Sequence, residues 1–274
     1  MVKNTKGIIM SEKVKIAIVG GYDIAAILEP PIEKKIIDTP YGKSPEIIIG
    51  TVGGKRVASL PRHGKGHAYP PHKVNYRANI WALKSLGVER IIANTAVGSV
   101  NEKMKPGDIV VLSNFIDFVT DGRPKTFYDG GESGVVHIDC TEPYCPEIRT
   151  AIIDAAKSLN LSYHPTGVYI CTSGPRFETA AEIKLFKLFG ADVVGMTQVP
   201  EVVLARELEV CYGAFSVITN FAAGISPEKL THEEVVELMR EKLEDIKRLY
   251  IETIKRIPEE RNCPCKDLLK GAKG

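Results

Sequence analysis

Short apolar runs alternate along this chain with longer segments of helical periodicity, and this alternation constrains the fold more than any other feature. The apolar runs predict strands at about 14–19, 46–51, 56–60, 90–94, 108–113, 168–172, 192–196 and 213–219. The periodic segments predict helices at about 76–86, 146–159, 179–189, 200–209 and 231–256. Strands that alternate with helices favour an α/β fold with a mainly parallel, twisted central sheet flanked by helices.

The chain has the size and composition of one large domain. Its 274 residues fit a single α/β unit, and 44% hydrophobic residues suffice for a substantial core. No internal repeat or low-complexity linker divides it. We therefore expect one domain over residues 13–274 after a flexible N-terminal tail over 1–12, in which Met10 offers an alternative start.

The charge pattern gives no reason to expect nucleic acid or a membrane as a partner. The net charge is +2, and basic residues alternate with acidic ones, as in 241–247, rather than clustering. No stretch is long and apolar enough for a membrane span, and the first residues lack the pattern of a cleaved signal peptide. A cytoplasmic protein is expected.

Three segments each place anion-binding chemistry after an apolar run. In the first, Thr197 precedes a predicted helix start at Pro200, where backbone N–H groups and a hydroxyl can meet an anion. In the second, Arg62 can present two guanidinium donors and His63 a third. In the third, the small residues after Asn94 offer amides and the Thr95 hydroxyl. Taken singly, each segment has an ordinary interpretation as well. The first suits a strand–helix corner, the second a solvated turn and the third a tightly packed loop.

Eight segments taken in order carry a resemblance to a known family. They are TPYG (39–42), RHG (62–64), PPHKVNYRANIWAL (70–83), TAVGS (95–99), PGD (106–108), TFYDG (126–130), GPRFET (174–179) and GMTQVPE (195–201). This set resembles the trimeric purine nucleoside and methylthioadenosine phosphorylases over about Lys13 to Ala272, and most closely the archaeal 6-oxopurine members. The resemblance implies that phosphate attacks the anomeric carbon of a purine nucleoside, releasing the base and a pentose 1-phosphate. It implies phosphate as a co-substrate and no cofactor.

The resemblance also implies roles for individual residues. The reaction needs a clamped phosphate dianion, a positioned sugar and a donor for the departing purine. The residues that the resemblance places around phosphate are Gly20, Arg62, His63, Thr95, Ala96 and Thr197. It places Met196 under the ribose and Phe177 against the base.

Three further residues bear on which base is bound. Adenine-type members carry Asp in place of Asn220, a second acid in place of Ala222 and a small residue in place of Glu178. The residues here resemble the 6-oxopurine members, in which a carboxylate accepts the base N1–H and an amide serves O6 and N7. Asn can donate to O6, whereas Asp would repel it. The resemblance therefore assigns Glu178 and Asn220 as the catalytic pair.

His232 bears on the 5′ end of the nucleoside. Thr231 and Glu234 predict a capping box that opens a long amphipathic helix, so His232 falls in its first turn. Without the resemblance, a surface histidine would be the ordinary interpretation. With it, His232 is expected to bond the ribose 5′-hydroxyl, although an imidazole also tolerates a methylthio group.

The chain departs from the family after its first predicted strand. Members usually show Gly-Gly-Ser-Gly-x-Tyr-Asp there, whereas this chain reads Gly20-Gly21-Tyr22-Asp23. One hydroxyl donor to phosphate is lost unless Tyr22 rebuilds the turn. A hydrogen bond to a charged group is worth roughly 1.5–3 kcal/mol, so the loss would slow the enzyme without abolishing its mechanism.

The segment from about Phe118 to His137 is long, polar and rich in glycine, which suggests more than a connection between strands. The resemblance implies that His137 reaches the ribose site of a neighbouring subunit. A homotrimer, or a hexamer of two trimers, is expected on that ground.

Six cysteines are unusual for a cytoplasmic chain. The spacing of Cys140 and Cys145 matches no metal site, and no metal is expected. Burial is the ordinary interpretation for Cys171 and Cys211. Cys263-Pro264-Cys265 suggests a strained or redox-active disulfide, and Cys140 or Cys145 could also be bridged. Intracellular disulfides, together with the Lys- and Glu-rich charge set, indicate a thermophile. Thermophilic members of the resembled family carry a similar C-terminal Cys-x-Cys.

The leading hypothesis is a purine nucleoside phosphorylase acting on inosine and guanosine, with 5′-methylthioinosine as an additional candidate substrate. A 5′-methylthioadenosine phosphorylase is the alternative within the enzyme class. A non-catalytic purine nucleoside-binding protein is the alternative of another class, suggested by the short loop at Gly20. NAD binding is disfavoured because Gly20-Gly21 lacks the G-x-G-x-x-G spacing.

Overall fold

The computed structural model describes residues 13–20, 24–227 and 231–274. These residues form an α/β domain whose strands are β1 (Ile16–Gly20), β2 (Glu29–Lys35), β3 (Asp38–Thr39), β4 (Gly42–Lys43), β5 (Ile47–Val52), β6 (Lys55–Pro61), β7 (Arg90–Ser99), β8 (Ile109–Val111), β9 (Asn114–Phe118), β10 (Tyr163–His164), β11 (Val168–Thr172), β12 (Val193–Gly195) and β13 (Cys211–Phe221). Its α-helices are α1 (Tyr76–Ser85), α2 (Pro146–Ser158), α3 (Ala180–Leu188), α4 (Gln198–Glu207), α5 (His232–Glu241) and α6 (Leu243–Arg256). The expected tail at 1–12 and the expected role of Tyr22 lie outside the described residues.

The main sheet runs in the order β10-β8-β13-β7-β1-β6-β5-β2. Its centre is parallel, since β7 pairs with both β1 and β13, and β1 pairs with β6. The pairs β5–β6, β2–β5 and β8–β13 are antiparallel, so the sheet is mixed. β7 also pairs antiparallel with β12 at its far end, and β12 leads on to β11 and β9.

Helices cover both faces of the central strands. One apolar cluster joins the sheet to α1 and α4 through residues such as Ile80 and Val202. A second cluster joins it to α2 and α6 through residues such as Ile152 and Leu249. Strands buried on both faces read as near-continuous apolar runs, which is why β7 and β13 are visible in the sequence.

The expected strands and helices are all present, with three differences. The helix expected over 231–256 is two helices, α5 and α6, interrupted at Lys242. The strands β2, β3, β4, β9 and β10 were not expected, because they carry few buried apolar side chains. The sheet is less uniformly parallel than the alternation of elements implied. No helix in the described part of the chain is long and apolar enough to cross a membrane.

Candidate active site

A cavity of about 170 Å³ lies where β6, β7, β12 and β13 reach their carboxyl ends and where α4 and α5 begin. Open α/β sheets bind ligands at this edge. Of the residues singled out from the sequence, those that line the cavity are Arg62, His63, Thr95, Ala96, Phe177, Glu178, Met196, Thr197, Asn220, Ala222 and His232. Residues more than 100 positions apart in the chain are thus brought to one site. Gly20 and His137 are not among the lining residues.

Gly20 ends β1 directly behind the cavity wall. A Cβ at this position would lie 2.5 Å from Oδ1 of Asn94, so a side chain would clash there. Gly20 is therefore explained by close packing against Asn94, and its expected contact with phosphate remains a prediction.

His137 lies away from the cavity of its own chain. It is exposed, and its backbone N–H donates to the carbonyl oxygen of Ala272 at 2.8 Å. The side chain lies beside the C-terminal residue Gly274. Its expected role in a neighbouring subunit remains a prediction.

Arg62 is held differently from the expectation. Its Nε and Nη2 each donate to Glu201 at 2.6 Å, and its Nη1 donates to the carbonyl oxygen of Asn94 at 3.0 Å. Both partners of the ion pair are buried. Burial lowers the pKa of Arg62, but the charge and hydrogen bonds of Glu201 outweigh it and raise the pKa above its ordinary value. The guanidinium donors that were expected to bind an anion instead bind Glu201 and Asn94. One N–H therefore remains on each of Nη1 and Nη2.

His63 contributes a neutral ring. Burial, with the positive charge of Arg62 next in size, lowers the pKa of His63 to about 3. Its Nδ1 contacts the carbonyl oxygen of Tyr69 at 2.8 Å, and its ring stacks on His67 with centroids 4.0 Å apart. The Nδ1 proton is donated to Tyr69, so at neutral pH the ring has an Nε2 that can accept a hydrogen bond from a ligand but no N–H left to donate to an anion.

The start of α4 offers fewer free N–H groups than the sequence implied. The N–H of Thr197 donates to the Tyr169 hydroxyl at 3.2 Å, and that of Val199 donates to the Cys171 sulfur at 3.4 Å. The Thr95 hydroxyl, also in the cavity wall, pairs with the Ser216 hydroxyl at 2.8 Å. Hydroxyl groups rather than a row of amides therefore dominate this end of the site.

Asn94 is a cavity residue to which the sequence assigned no role of its own. Its Oδ1 accepts a hydrogen bond from the Tyr250 hydroxyl at 3.1 Å. Its buried Nδ2 has no hydrogen-bond partner among the described residues. A buried donor without a partner is costly, so this amide is available to a bound ligand.

Glu178 lines the cavity from the loop before α3. The Thr172 hydroxyl donates to its Oε1 at 2.7 Å. Burial raises the pKa of Glu178, and the hydrogen bond from Thr172 acts in the opposite direction. Thr172 was not singled out from the sequence, because a threonine within an apolar strand gives no signal of its contact with a residue in the following loop.

An irregularity in β13 sets the direction of the Asn220 side chain. The register against β7 shifts between Ile218 and Asn220, and such bulges re-aim side chains next to active sites. The Thr219 hydroxyl donates to Asn220 Oδ1 at 2.8 Å, while Nδ2 donates to the Phe221 carbonyl at 2.8 Å. A Cβ on Gly98 would lie 3.2 Å from Nδ2, so the glycine makes room for the amide.

The helix α5 also contributes residues to the cavity wall. The capping box is confirmed, since Thr231 Oγ1 accepts from the Glu234 N–H and Glu234 accepts from the Thr231 N–H. His232 lines the cavity together with Val235 and Met239, one and two turns further along the helix. An imidazole and two apolar side chains thus share this part of the wall.

Hydrogen bonds hold the segment that follows β9 against the rest of the protein. Arg123 donates to the carbonyl oxygens of Ser173 at 2.7 Å and Met196 at 3.0 Å, directly behind the cavity. Glu207 of α4 accepts from the Thr126 hydroxyl and the Phe127 N–H, both at 2.7 Å. The segment therefore supports the wall that carries Met196.

All six cysteines are free thiols in this structure. The disulfide suggested for Cys263 and Cys265 is therefore not confirmed. Cys171 and Cys211 are buried, as expected.

Comparisons with known proteins agree with this geometry. Residues 15–255 match the model of the phosphorylase superfamily. A 6-oxopurine nucleoside phosphorylase from Pyrococcus furiosus is 60% identical over 268 residues, covering 95% of this chain and 99% of its own. An S-methyl-5′-thioadenosine phosphorylase from the same organism is 50% identical over 257 residues, covering 93% and 98%.

A solved structure with this fold is methylthioadenosine phosphorylase from Schistosoma mansoni in complex with adenine. It superposes with a TM-score of 0.89 at 35% identity, covering 95% of this chain and 99% of its own. The chain belongs to the phosphorylase superfamily, and within it to the purine nucleoside phosphorylases, which are pentosyltransferases.

Proposed function

We propose that this protein cleaves 6-oxopurine nucleosides with phosphate, releasing the free base and a pentose 1-phosphate. The observation that carries the proposal is the presence of Glu178 and Asn220 in one cavity. A carboxylate accepts the N1–H of hypoxanthine or guanine, whereas adenine has no proton on N1. The second N–H of Asn220 Nδ2 is available for O6 and N7, because the first is donated to Phe221.

The reaction breaks one bond and forms another at the anomeric carbon. A phosphate oxygen forms a bond to C1′ while the bond from C1′ to N9 breaks, and its electron pair moves into the purine. Asn220 stabilises the negative charge at N7 and O6 as the base departs. Phosphate is the co-substrate, and no cofactor takes part in this scheme.

The phosphate end is proposed to consist of Arg62, His63, Thr95, Ala96 and Thr197, with Gly20 behind them. The Arg62–Glu201 pair carries no net formal charge and His63 is neutral at working pH. Phosphate binding would then depend on hydrogen bonds, including the unpartnered amide of Asn94. Met196 lies under the ribose in this arrangement, and Phe177 and Ala222 border the base.

The 5′ end favours a mixed specificity. His232 can donate to a 5′-hydroxyl, while Val235 and Met239 offer apolar surface to a methylthio group. We therefore include 5′-methylthioinosine among the substrates. A 5′-methylthioadenosine phosphorylase is the second candidate, supported by this apolar surface and by the relatives with that activity.

We further propose a cytoplasmic homotrimer, or a hexamer of two trimers, in which His137 completes the ribose site of a neighbouring subunit. Nucleic acid and membranes have no part in this scheme. The single glutamine and the Lys- and Glu-rich charge set support a protein that works at high temperature.

The test is to incubate the purified protein with inosine, guanosine, adenosine, methylthioadenosine and methylthioinosine, with and without phosphate, over a range of temperatures. Phosphate-dependent release of hypoxanthine and guanine with little adenine supports the proposal. Adenine as the main product would assign a methylthioadenosine phosphorylase. Purine binding by calorimetry without any release would assign a non-catalytic binding protein.

A further inference from the structure

Arg123 joins two loops of the active site without lining the cavity itself. It lies in the segment between β9 and α2, is 8% exposed and is not one of the described residues that line the cavity. Its Nη2 donates to the carbonyl oxygen of Ser173 at 2.7 Å, and its Nη1 donates to that of Met196 at 3.0 Å. One buried side chain therefore bonds to the backbone of both loops.

The two loops begin where a pair of strands separates. β11 and β12 are hydrogen-bonded side by side, and their last paired residues are Cys171 and Gly195. Ser173 lies two residues after the first of these, and Met196 lies one residue after the second. Beyond the last pair, the guanidinium of Arg123 links the two chain segments in place of backbone-to-backbone hydrogen bonds.

The two loops carry different parts of the proposed substrate site. The base loop (residues 173–179) contains Phe177 and Glu178, which are assigned to the base. The ribose loop (residues 196 and 197) contains Met196, which is assigned to the ribose, and leads directly into α4. The spacing of the two loops therefore sets how the base is held relative to the sugar.

The loops also pack tightly beside the bonds that Arg123 makes. A Cβ on Gly174 would lie 2.5 Å from Met196 Sδ, so the base loop lies directly against the methionine side chain. Gly174 has a φ of +66°, a conformation that glycine adopts without strain. A shift of the Ser173 backbone would therefore also displace the Met196 side chain.

The N–H donors of Arg123 are all used within the protein. Nε and Nη2 donate to the carboxylate of Asp121. Besides its bond to Met196, Nη1 lies 3.4 Å from the Tyr76 hydroxyl oxygen and 3.5 Å from the Val199 carbonyl oxygen. A guanidinium with its donors occupied has none left for a substrate anion, but its planar shape holds several partners in a fixed geometry. A lysine ammonium cannot reproduce that geometry.

We propose that Arg123 is a positioning residue that fixes the spacing between the base loop and the ribose loop. The inference rests on the proposed phosphorolysis, in which the base is held while C1′ exchanges its bond to N9 for a bond to phosphate. Misplacing the reacting groups by about 1 Å can slow such a reaction by about 100-fold. Arg123 touches no substrate in this scheme and acts through Ser173 and Met196.

The test compares a ligand that spans both loops with one that contacts the base loop alone. Binding of inosine and of hypoxanthine is measured by calorimetry without phosphate, for the unmodified protein and for Arg123→Lys. Inosine affinity should fall by about tenfold or more, whereas hypoxanthine affinity should change by less than about threefold. A general loss of folded structure would instead reduce the number of binding sites for both ligands.

Arg90 supplies a matched control. It is also a buried arginine, and its Nη2 donates to the Glu260 carbonyl at 2.7 Å and to Glu147 at 3.4 Å. Arg90 begins β7, however, and the cavity lies at the other end of that strand. Arg90→Lys should lower the Tm and leave both affinities unchanged. With phosphate and well below the Tm, kcat for inosine should fall about 100-fold in Arg123→Lys and by less than about threefold in Arg90→Lys.

Asp121→Asn is a milder second variant, in case Arg123→Lys does not fold. Asp121 is exposed, and an amide offers one acceptor oxygen where the carboxylate offers two, so Arg123 would be held less rigidly. Inosine affinity should again fall more than hypoxanthine affinity. Parallel changes in the two affinities in these variants, or no change in either, would overturn the proposal.

The comparison of affinities does not require turnover. If the unmodified protein binds inosine but releases no base with phosphate, the proposed function fails, and the two affinities still test Arg123. If adenine nucleosides are preferred, 5′-methylthioadenosine and adenine replace inosine and hypoxanthine in the same comparison. A protein that binds no nucleoside would overturn both proposals.

Discussion

Arg62 and Glu201 form a two-point ion pair inside the core, with Nε and Nη2 each 2.6 Å from a carboxylate oxygen. The Tyr212 hydroxyl donates a third hydrogen bond to Glu201 at 2.7 Å. Arg62 is the residue expected to bind phosphate. Glu201, a residue of α4, positions Arg62 and balances its charge. This arrangement orients the guanidinium at the edge of the cavity before substrate arrives.

Replacing Glu201 by Gln should leave Arg62 as a buried cation without a counter-charge. Breaking a buried pair in this way costs about 3–5 kcal/mol, so the Tm should fall by several degrees or more. Phosphate should then raise the Tm of this variant more than that of the unmodified protein, because the anion replaces the lost charge. Thermal unfolding with a phosphate titration measures both effects. The exposed pair of Lys187 and Glu102 supplies the control, and Glu102→Gln should change little. If phosphate raised the Tm of E201Q and of the unmodified protein by the same amount, Arg62 would have no part in phosphate binding.

Removing the Thr172 hydroxyl should weaken the base site through Glu178. In Thr172→Val the pKa of Glu178 should rise further, since the donor that opposes the effect of burial is gone. The loss of one charged hydrogen bond predicts a drop of about tenfold or more in kcat/KM for inosine. The acidic limb of the pH profile of kcat/KM should move to higher pH, and Thr172→Ser should restore both. An unchanged profile in Thr172→Val would show that this hydroxyl does not tune Glu178.

Glu178 should reduce stability at neutral pH. Its folded pKa is raised by burial above the ordinary value of 4.5, so the folded protein binds the proton more tightly than the unfolded chain. Stability is therefore lost as pH rises from the unfolded value through the folded pKa, and the penalty persists above it. Glu178→Gln should be more stable than the unmodified protein at pH 7 and lose this advantage near pH 4, as denaturant unfolding would show. The exposed Glu132→Gln should show no such trend. A variant less stable at pH 7 would contradict this sign.

Asn220→Asp should shift base preference toward 6-aminopurines. A carboxylate accepts from an exocyclic amino group and repels the O6 carbonyl oxygen. Its second oxygen would also face the Phe221 carbonyl, which now accepts from Nδ2 at 2.8 Å, so overall activity should fall. The ratio of kcat/KM for adenosine to that for inosine should rise by tenfold or more, on the order of 1.4 kcal/mol. An unchanged ratio would remove Asn220 from the base site.

The elements that carry buried apolar runs could be predicted from the sequence, and the contacts between distant residues could not. β7 and β13 are recognisable because both faces are covered, and α5 because Thr231 and Glu234 form a local capping box. The partner of Arg62 lies 139 residues away on α4, and no local pattern specifies it.

The residues that line the cavity were predicted more completely than their hydrogen-bond partners. Four of the matched segments, 62–64, 95–99, 174–179 and 195–201, lie at or just after the carboxyl ends of strands and contribute residues to the cavity. A helix start was also predicted here, at Pro200, and α4 begins at Gln198, but the N–H groups of Thr197 and Val199 are used internally by Tyr169 and Cys171. Which donors remain free depends on side chains that pack from other strands.

The most direct test of the central claim is a competition between two nucleosides in one reaction. Equal concentrations of inosine and 5′-methylthioadenosine are incubated with the protein and phosphate, and hypoxanthine and adenine are separated and quantified at early times. The ratio of the two initial rates equals the ratio of kcat/KM values. Base recognition by Glu178 and Asn220 predicts hypoxanthine in at least tenfold excess. Adenine in equal or greater amount would contradict it.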